Sequence, residues 1–281
     1  MRPKQWAKNI FIYAPLVFDR KLTDFNAVLV TILGAILFSL IASVVYNIND
    51  IADIEADRKH PTKQNRPIAA GKLAISTAWG SAIFILLVCF PLAILLSWKF
   101  AVICLIYLLL NLAYSKWLKH IVLLDIILIA SFYVIRVAAG VTLIEVQRFS
   151  PWIYIFTTFL ALLIGTGKRR AELAEFMEAA NAQRRVLDGY TLVFLDQLIT
   201  LASGMTIITY SLYTFSAPNL PDNHTMMLTI PFIIYSVFRY QYLLQVANIG
   251  GAPEDVVLSD RPLQTAIVLF SFAVLVIFYL F

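Results

Sequence analysis

Residues 26–58 read NAVLVTILGAILFSLIASVVYNINDIADIEADR, an apolar segment that runs directly into an acidic one. No charged residue occurs between Asn26 and Ile48, and a segment of this length can cross the ~30 Å hydrocarbon core of a bilayer as a helix. Strands of a membrane barrel would be about ten residues long and would alternate in polarity. The stretch therefore predicts a membrane-spanning α-helix with an acidic end.

The same apolar pattern recurs along the whole chain. Hydrophobic residues make up 60% and charged residues 14% of the 281 residues, whereas soluble domains carry about 45–50% and about 25%. We expect an all-α, polytopic membrane bundle of about nine helices, forming one domain over residues 1–281. The segments are predicted at about 8–18, 26–48, 76–98, 100–115, 121–144, 151–167, 192–216, 228–247 and 263–281. The first is short and is expected to be interfacial or half-inserted.

Lys and Arg residues indicate the orientation of the chain. If the N-terminus is cytoplasmic, most of the basic residues lie on that side. This positive-inside bias predicts a multi-pass protein of the inner (plasma) membrane with its N-terminus in the cytoplasm. It also places the two longest polar connections, residues 49–75 and 168–190, on the cytoplasmic side. Long loops of this kind often carry function.

The first connection opens with a stripe of polar residues. On a helix at ~100° per residue, four of them share one side: Asn49, Asp50, Asp53 and Asp57. Three carboxylates on one stripe repel one another unless a cation neutralises them, and hard oxygen ligands suit Mg²⁺. The pattern predicts a magnesium site on the three aspartates. The structural alternative is a solvated acidic helix end beside Arg58.

A basic segment follows, HPTKQNRPIAAG at residues 60–71. Lys63 and Arg66 can supply positive charge to phosphates, and Pro67 and Gly71 indicate a loop rather than another helix. The positive-inside rule alone would also place basic residues here. That alternative explains the basic residues but not the adjacent carboxylates.

Together these residues resemble the first aspartate-rich motif of the UbiA superfamily. The resemblance rests on Asn49-Asp50-x-x-Asp53-x-x-x-Asp57, followed by Arg66-Pro67 and Gly71. It implies an intramembrane transferase of nine helices that acts on pyrophosphate-activated donors through Mg²⁺. The number of spans and the placement of the loops extend the resemblance over nearly the whole chain.

The second connection reads KRRAELAE at residues 168–175. On a helix Lys168, Glu172 and Glu175 share a face, and Arg169 lies about 100° away. Superfamily members that transfer prenyl groups carry a second aspartate-rich motif in this loop. The basic cluster here favours a donor with an additional phosphate. An ordinary helix pair between Lys168 and Glu172 is the structural alternative.

Within the superfamily, the chain is most similar to members that transfer a 5-phosphoribosyl group from phosphoribosyl pyrophosphate to a polyprenyl phosphate. The motifs concerned are RPKQWAKN at 2–9, YSKWLK at 114–119, GKRRAEL at 167–173 and DRPL at 260–263. The similarity implies Mg²⁺ on Asp50, Asp53 and Asp57, with Asn49 orienting a ligand. Substrate contacts are then expected at Lys8, Arg58, Lys63, Arg66, Tyr114, Lys119, Lys168, Arg169, Glu172 and Arg239. The last is expected to bind the lipid phosphate.

Two other functions fit parts of the pattern. A prenyltransferase of the same superfamily would attach an isoprenoid to an aromatic acceptor, and the basic second loop argues against it. A secondary transporter would carry intramembrane acidic residues and broken spans, whereas most acidic residues here fall in the cytoplasmic connections. Arg136 lies within a span and is either a structural anchor or a substrate residue.

Overall fold

The computed structural model describes residues 3–59, 63–146, 150–178, 189–218, 220–221, 223–247 and 253–280, which form helices and no strand. The α-helices are α1 (Ala14–Phe18), α2 (Phe25–Ala52), α3 (Ile54–Lys59), α4 (Ile75–Leu96), α5 (Trp98–Lys116), α6 (Leu124–Val141), α7 (Pro151–Glu178), α8 (Leu192–Ser216), α9 (Ile230–Gln245), α10 (Pro253–Ser259) and α11 (Arg261–Leu280). Within these ranges, eight segments are long and apolar enough to span a membrane. The all-α, multi-pass architecture is therefore confirmed.

The first predicted segment, 8–18, is a 3₁₀ stretch (Pro3–Tyr13) followed by the five-residue α1. It is not among the eight long segments of the described chain. Asp24 starts the first long helix, because its Oδ1 accepts hydrogen bonds from the backbone N–H groups of Asn26 and Ala27 at 3.0 and 3.1 Å. Side-chain caps of this kind satisfy the free N–H groups of a first turn.

The predicted loop 168–190 is wrong in its first part, because α7 continues through Glu178. Residues 168–178 contain Lys, Arg, Ala, Glu, Leu and Met, which are all good helix formers, and no Gly or Pro interrupts them. Residues 179–188 lie outside the described chain. The second candidate motif is therefore a helical extension of a membrane span.

The chain divides into two compact units, each described here by itself. The first comprises residues 1–16, 21–116 and 135–145, and the second comprises 17–20, 117–134 and 146–281. The expectation of one domain over residues 1–281 stays a prediction.

In the first unit, α2 packs on α4 and α5, and the N-terminal 3₁₀ stretch lies along α2. Its polar side chains are paired: Trp6 Nε1 donates to Ser43 Oγ at 3.1 Å, and Asn9 Nδ2 donates to Ser39 Oγ at 2.7 Å. Gly140 lies directly against the Ile12 carbonyl, where any Cβ would collide. The stretch is therefore fixed by both polar and close backbone contacts.

Arg136 belongs to the same buried cluster. Its Nε donates to Asn9 Oδ1 at 2.9 Å and its Nη2 donates to the Tyr107 hydroxyl at 3.2 Å. The guanidinium also lies 5.7 Å from the Phe38 ring centroid, a cation–π distance. These contacts fit the structural-anchor interpretation of Arg136.

In the second unit, α7 packs along α8, and α9 packs on α8 and α11. An aromatic core joins them, including Phe156, Tyr210, Tyr213 and Phe278. The Tyr210 hydroxyl is 2.5 Å from Thr229 Oγ1, a hydrogen-bond distance. This core packs against the first part of α7, which is continuous from Pro151 to Glu178.

Candidate active site

The acidic stripe lies where α2 ends. Asn49 and Asp50 occupy its last turn, Asp53 is the C-cap residue with φ −98° and ψ 11°, and Asp57 lies on α3. The helical path is nearly continuous across the break, because Asp53 N–H donates to Asn49 O at 2.9 Å and Asp57 N–H donates to Asp53 O at 2.8 Å. Asp50 and Asp57 therefore stay on one side, two turns apart.

Arg66 joins two of these carboxylates. Its Nη1 lies 3.2 Å from Asp50 Oδ1 and 2.5 Å from Asp57 Oδ2. Asp50 is 8% exposed and Asp57 is 4% exposed. Two buried carboxylates therefore converge on one guanidinium nitrogen, and like charges placed this close are costly without a cation between them.

The turn that carries Arg66 is held by its own backbone. Ala70 N–H donates to Arg66 O at 2.8 Å, and Leu73 N–H donates to Pro67 O at 3.0 Å. Gly71 has φ +72°, a conformation that residues with a Cβ rarely adopt. Ile68 and Ala69 are buried beneath the turn. The loop expected from Pro67 and Gly71 thus presents Arg66 to the acidic stripe.

The donor set fits a hard divalent cation. Asp50 Oδ1 and Asp57 Oδ2 meet at one positively charged nitrogen, so both already point to a common cation position. In the part of the chain that the structure describes, no three His, Cys, Asp or Glu side chains are arranged to hold a metal. Asp53 is half-buried, and its assignment as a third ligand stays a prediction.

Three other predicted residues of the first unit, Asn49, Tyr114 and Arg58, differ in their contacts and burial. Asn49 Oδ1 accepts a 2.6 Å hydrogen bond from Ser115 Oγ. Ser115 is not among the predicted site residues, although it lies inside the YSKWLK motif. Tyr114, which precedes Ser115 in the sequence, is half-buried near the end of α5. Arg58 is exposed and bonds Glu55 at 3.2 Å.

Lys8 and Lys63 are two further predicted substrate-binding residues. Lys8 is half-buried in the N-terminal stretch, and its Nζ donates to Gln5 Oε1 at 2.7 Å. Lys63 begins a short 3₁₀ helix, and its side chain lies outside the described part of the structure. Both substrate-binding assignments stay predictions.

The second unit holds a separate charged network. Arg169 and Asp125 are both 0% exposed, and Arg169 Nε donates to Asp125 Oδ2 at 2.6 Å. Arg169 Nη1 also pairs with Glu172 Oε2. The structural alternative, a helix pair between Lys168 and Glu172, stays open. The structure adds the contact of Glu172 with Arg169, because residues three apart are also neighbours on a helix. Lys119 and Lys168 are half-buried.

Tyr190, which follows residues 179–188 in the sequence, also belongs to this network. Its hydroxyl donates to Asp125 Oδ1 at 2.5 Å and accepts from the Leu123 N–H at 2.6 Å. Burial raises the pKa of the Tyr190 hydroxyl, and the hydrogen bond to Asp125 raises it further. The tyrosine therefore remains a neutral donor at physiological pH.

Arg239 lies on α9, apart from that network within the second unit. It makes a two-point contact with Asp260, from Nε to Oδ1 at 3.1 Å and from Nη2 to Oδ2 at 2.8 Å. The hydrogen bond from Arg239 lowers the pKa of Asp260, and a Leu263 N–H bond acts in the same direction. Asp260 thereby caps α11, which explains the first residue of the DRPL motif.

An open, mostly apolar cavity of about 430 Å³ adjoins Arg239. It is lined by Pro231, Ile234, Tyr235, Phe238, Arg239 and Tyr242. The guanidinium lies 5.1 Å from the Tyr242 ring centroid. A basic group beside an apolar surface fits a lipid phosphate, and that assignment of Arg239 stays a prediction.

The model of the UbiA prenyltransferase family matches residues 10–252, which contain both candidate motifs. The chain belongs to this family. It is therefore a membrane-embedded transferase.

Named relatives cover almost all of this UbiA family chain. The decaprenyl-phosphate phosphoribosyltransferase of Corynebacterium glutamicum is 31% identical over 290 residues, covering 100% of this chain and 86% of the relative. The enzyme of the same name from Mycobacterium tuberculosis is 34% identical over 268 residues, covering 94% and 88%.

The UbiA fold is also supported by solved structures. A UbiA homolog from Archaeoglobus fulgidus bound to DMAPP and Mg²⁺ superposes with a TM-score of 0.74 at 19% identity, covering 100% of this chain and 98% of that one. At this identity the likeness establishes the fold alone.

Proposed function

We propose that this UbiA family member transfers a 5-phosphoribosyl group from phosphoribosyl pyrophosphate to a polyprenyl phosphate of the decaprenyl type, releasing pyrophosphate. The observation that carries the proposal is the convergence of Asp50 and Asp57 on Arg66. It supports a diphosphate site in a chain whose near full-length relatives are named decaprenyl-phosphate phosphoribosyltransferases. The product would feed synthesis of an arabinose precursor for the cell envelope.

The reaction breaks the bond between ribose C1 and the pyrophosphate oxygen. An oxygen of the acceptor phosphate forms the new bond to C1, and the electron pair of the broken bond leaves with pyrophosphate. The acceptor is already an anion at neutral pH, so no strong general base is required. The protein must stabilise the leaving group, orient the acceptor and exclude water.

Asp50, Asp57 and, as a prediction, Asp53 would hold Mg²⁺. When bound, the ion would offset the negative charge that develops on the departing pyrophosphate. Arg66 is assigned to the same diphosphate, since a guanidinium binds phosphate oxygens through two parallel hydrogen bonds. Asn49, held by Ser115, is assigned to orient a ligand. Arg58, Lys63, Lys119 and Lys8 are further candidates for phosphate contacts, and Tyr114 for a hydroxyl contact.

Lys168 and Glu172 are assigned to the other end of the donor, the 5-phosphate and the ribose. Arg239 is assigned to the acceptor phosphate, because it lies beside an apolar cavity. The proposed location is the inner (plasma) membrane, with the N-terminus and both motifs on the cytoplasmic side, where the positive-inside bias places them.

A prenyl transfer to an aromatic acceptor is the second candidate function. It is favoured by the name of the family whose model matches the chain. A direct comparison separates the two functions: purified protein in lipid vesicles receives Mg²⁺, polyprenyl phosphate and an aromatic acceptor, with either labelled phosphoribosyl pyrophosphate or labelled prenyl pyrophosphate. We expect label in lipid only from the phosphoribosyl donor. Label transfer only from the prenyl donor would overturn the proposal.

A further inference from the structure

The buried network around Asp125 reaches a partly exposed side chain at Glu172. The Arg169 and Asp125 side chains are 1% and 0% exposed, whereas that of Glu172 is 23% exposed. Within this group one guanidinium meets two carboxylates. Because Asp125 is enclosed, Glu172 is the carboxylate of the pair that can meet a ligand.

Arg169 links the buried Asp125 carboxylate to Glu172 and does not act as a surface cation. A fully buried guanidinium whose Nε and Nη1 are both bonded is poorly placed to leave for a phosphate. Its two bonds fix the direction of Glu172, since Nε is held by Asp125 and Nη1 by Glu172. Planar, multi-point guanidinium contacts are well suited to such orientation.

The backbone next to Asp125 is also held in an unfavourable conformation. Leu123 has φ +67°, which is uncommon for a residue with a branched side chain. Its N–H donates to the Tyr190 hydroxyl, which in turn donates to Asp125. Gly189 packs against Val122, where an added Cβ would lie 2.5 Å from Cγ2. Strained conformations of this kind persist only where the surroundings impose them.

We propose that Asp125 is a positioning residue for the donor: through Arg169 it holds the Glu172 carboxylate ready to accept hydrogen bonds from the ribose hydroxyls of phosphoribosyl pyrophosphate. This inference rests on the proposed function and adds to it a residue outside both sequence motifs. Tyr190 contributes by holding Asp125 from the opposite side. Orientation of a sugar in this way lowers the barrier to reaction at its C1 atom.

The next residue along α7 offers a matched control. Arg170 Nε donates to Asp196 Oδ1 at 2.7 Å, and its Nη1 donates to Leu244 O at 2.5 Å. This pair has the same chemistry and nearly the same distance as Arg169 with Asp125. It leads to the C-terminal end of α9 rather than to Glu172. Asp196→Asn therefore removes an ion pair of the same type, at a carboxylate that is 35% exposed against 0% for Asp125, without disturbing Glu172.

The test compares Asp125→Asn, Tyr190→Phe and Asp196→Asn with the wild type in lipid vesicles. Two quantities are measured: kcat/KM for phosphoribosyl pyrophosphate, and the inhibition constant of inorganic pyrophosphate, which has no ribose. For Asp125→Asn we expect kcat/KM to fall about 10–100-fold, the range typical of lost ligand-orienting contacts. We expect the inhibition constant of pyrophosphate to change less than about twofold, since only the ribose contact is lost.

Tyr190→Phe removes both hydrogen bonds of the hydroxyl, to Asp125 and from the Leu123 N–H, and should lower kcat/KM about threefold to tenfold. It decides the question if Asp125→Asn does not fold. Asp196→Asn should change neither quantity. If the wild type is active but Asp125→Asn or the folded Tyr190→Phe protein behaves like Asp196→Asn, the inference fails alone. It also fails if donor and pyrophosphate binding weaken together. If the wild type makes no phosphoribosyl lipid, the proposed function fails as well.

Discussion

Arg66 lies 2.5 Å from Asp57, with one guanidinium nitrogen against one carboxylate oxygen. The same nitrogen reaches Asp50 at 3.2 Å. The turn at residues 66–73 therefore supplies a cation to two buried carboxylates of the acidic stripe. Removing one member of a buried ion pair typically lowers the free energy of unfolding by about 3–5 kcal/mol.

Removing Arg66 should make the protein depend on Mg²⁺ for stability. In Arg66→Gln, Asp50 and Asp57 lose their shared cation, so the melting temperature without metal should fall and the rise on adding Mg²⁺ should exceed that of the wild type. Tryptophan fluorescence during heating measures both. Arg58→Gln is the control for stability, because its exposed pair with Glu55 should contribute little. Equal behaviour of the two variants would contradict the assignment.

Asp57 should matter for metal affinity in a way that Glu55 does not. Asp57→Asn removes a buried carboxylate from the proposed cation site, and we expect the Mg²⁺ concentration for half-maximal pyrophosphate release to rise at least about tenfold. Glu55 is exposed and points away from the stripe. Glu55→Gln should leave the Mg²⁺ dependence unchanged, and a similar shift in both variants would argue against a specific site.

Asp260 should contribute stability that is lost only in acid. Its folded-state pKa is lowered, first by the hydrogen bond from Arg239. The contribution is therefore present above the unfolded pKa of about 3.9 and declines as the pH falls through the lower folded value. In Asp260→Asn the melting temperature should already be reduced at pH 7, and the difference from the wild type should shrink below about pH 4. A difference that stays constant from pH 7 to pH 3 would contradict this pairing.

Asn9 and Arg136 should act as one unit. Arg136 Nε donates to Asn9 Oδ1 inside the bundle, so either Asn9→Ala or Arg136→Met leaves the other polar group short of a partner. The double variant should lose less stability than the sum of the two single losses, by about 0.5–3 kcal/mol. Denaturation in mild detergent measures the four proteins of the cycle, and strictly additive losses would show that the contact carries no coupling.

The membrane helices and the first motif were largely predictable from the sequence because both depend on local patterns. The apolar run before Asn49 specifies a span, and helical periodicity alone places Asp50 and Asp57 on one side. The pairing of both with Arg66 follows from a turn marked by Pro67 and Gly71, although its distances could not be foreseen.

The second unit was harder to predict, because its decisive contacts join residues distant in sequence. The charged sequence from Lys168 onward predicts a loop, yet its helix-forming composition continues α7 to Glu178. Arg169 was expected to face a phosphate. Its actual partner, Asp125, lies 44 residues earlier, and nothing in the local pattern of either residue indicates the other. The contact of Tyr190 with Asp125 likewise joins residues distant in sequence, and no local pattern predicts it.

Mass spectrometry of the lipid product tests the proposed reaction most directly. Purified protein would be incubated with Mg²⁺, a polyprenyl phosphate and phosphoribosyl pyrophosphate, beside an Asp57→Asn sample. We expect the wild type to yield a lipid that has gained one phosphoribosyl group, with one pyrophosphate released for each, and the variant to yield far less. An unchanged lipid in the wild-type sample, or equal product in both samples, would contradict the proposed chemistry at Asp50, Asp57 and Arg66.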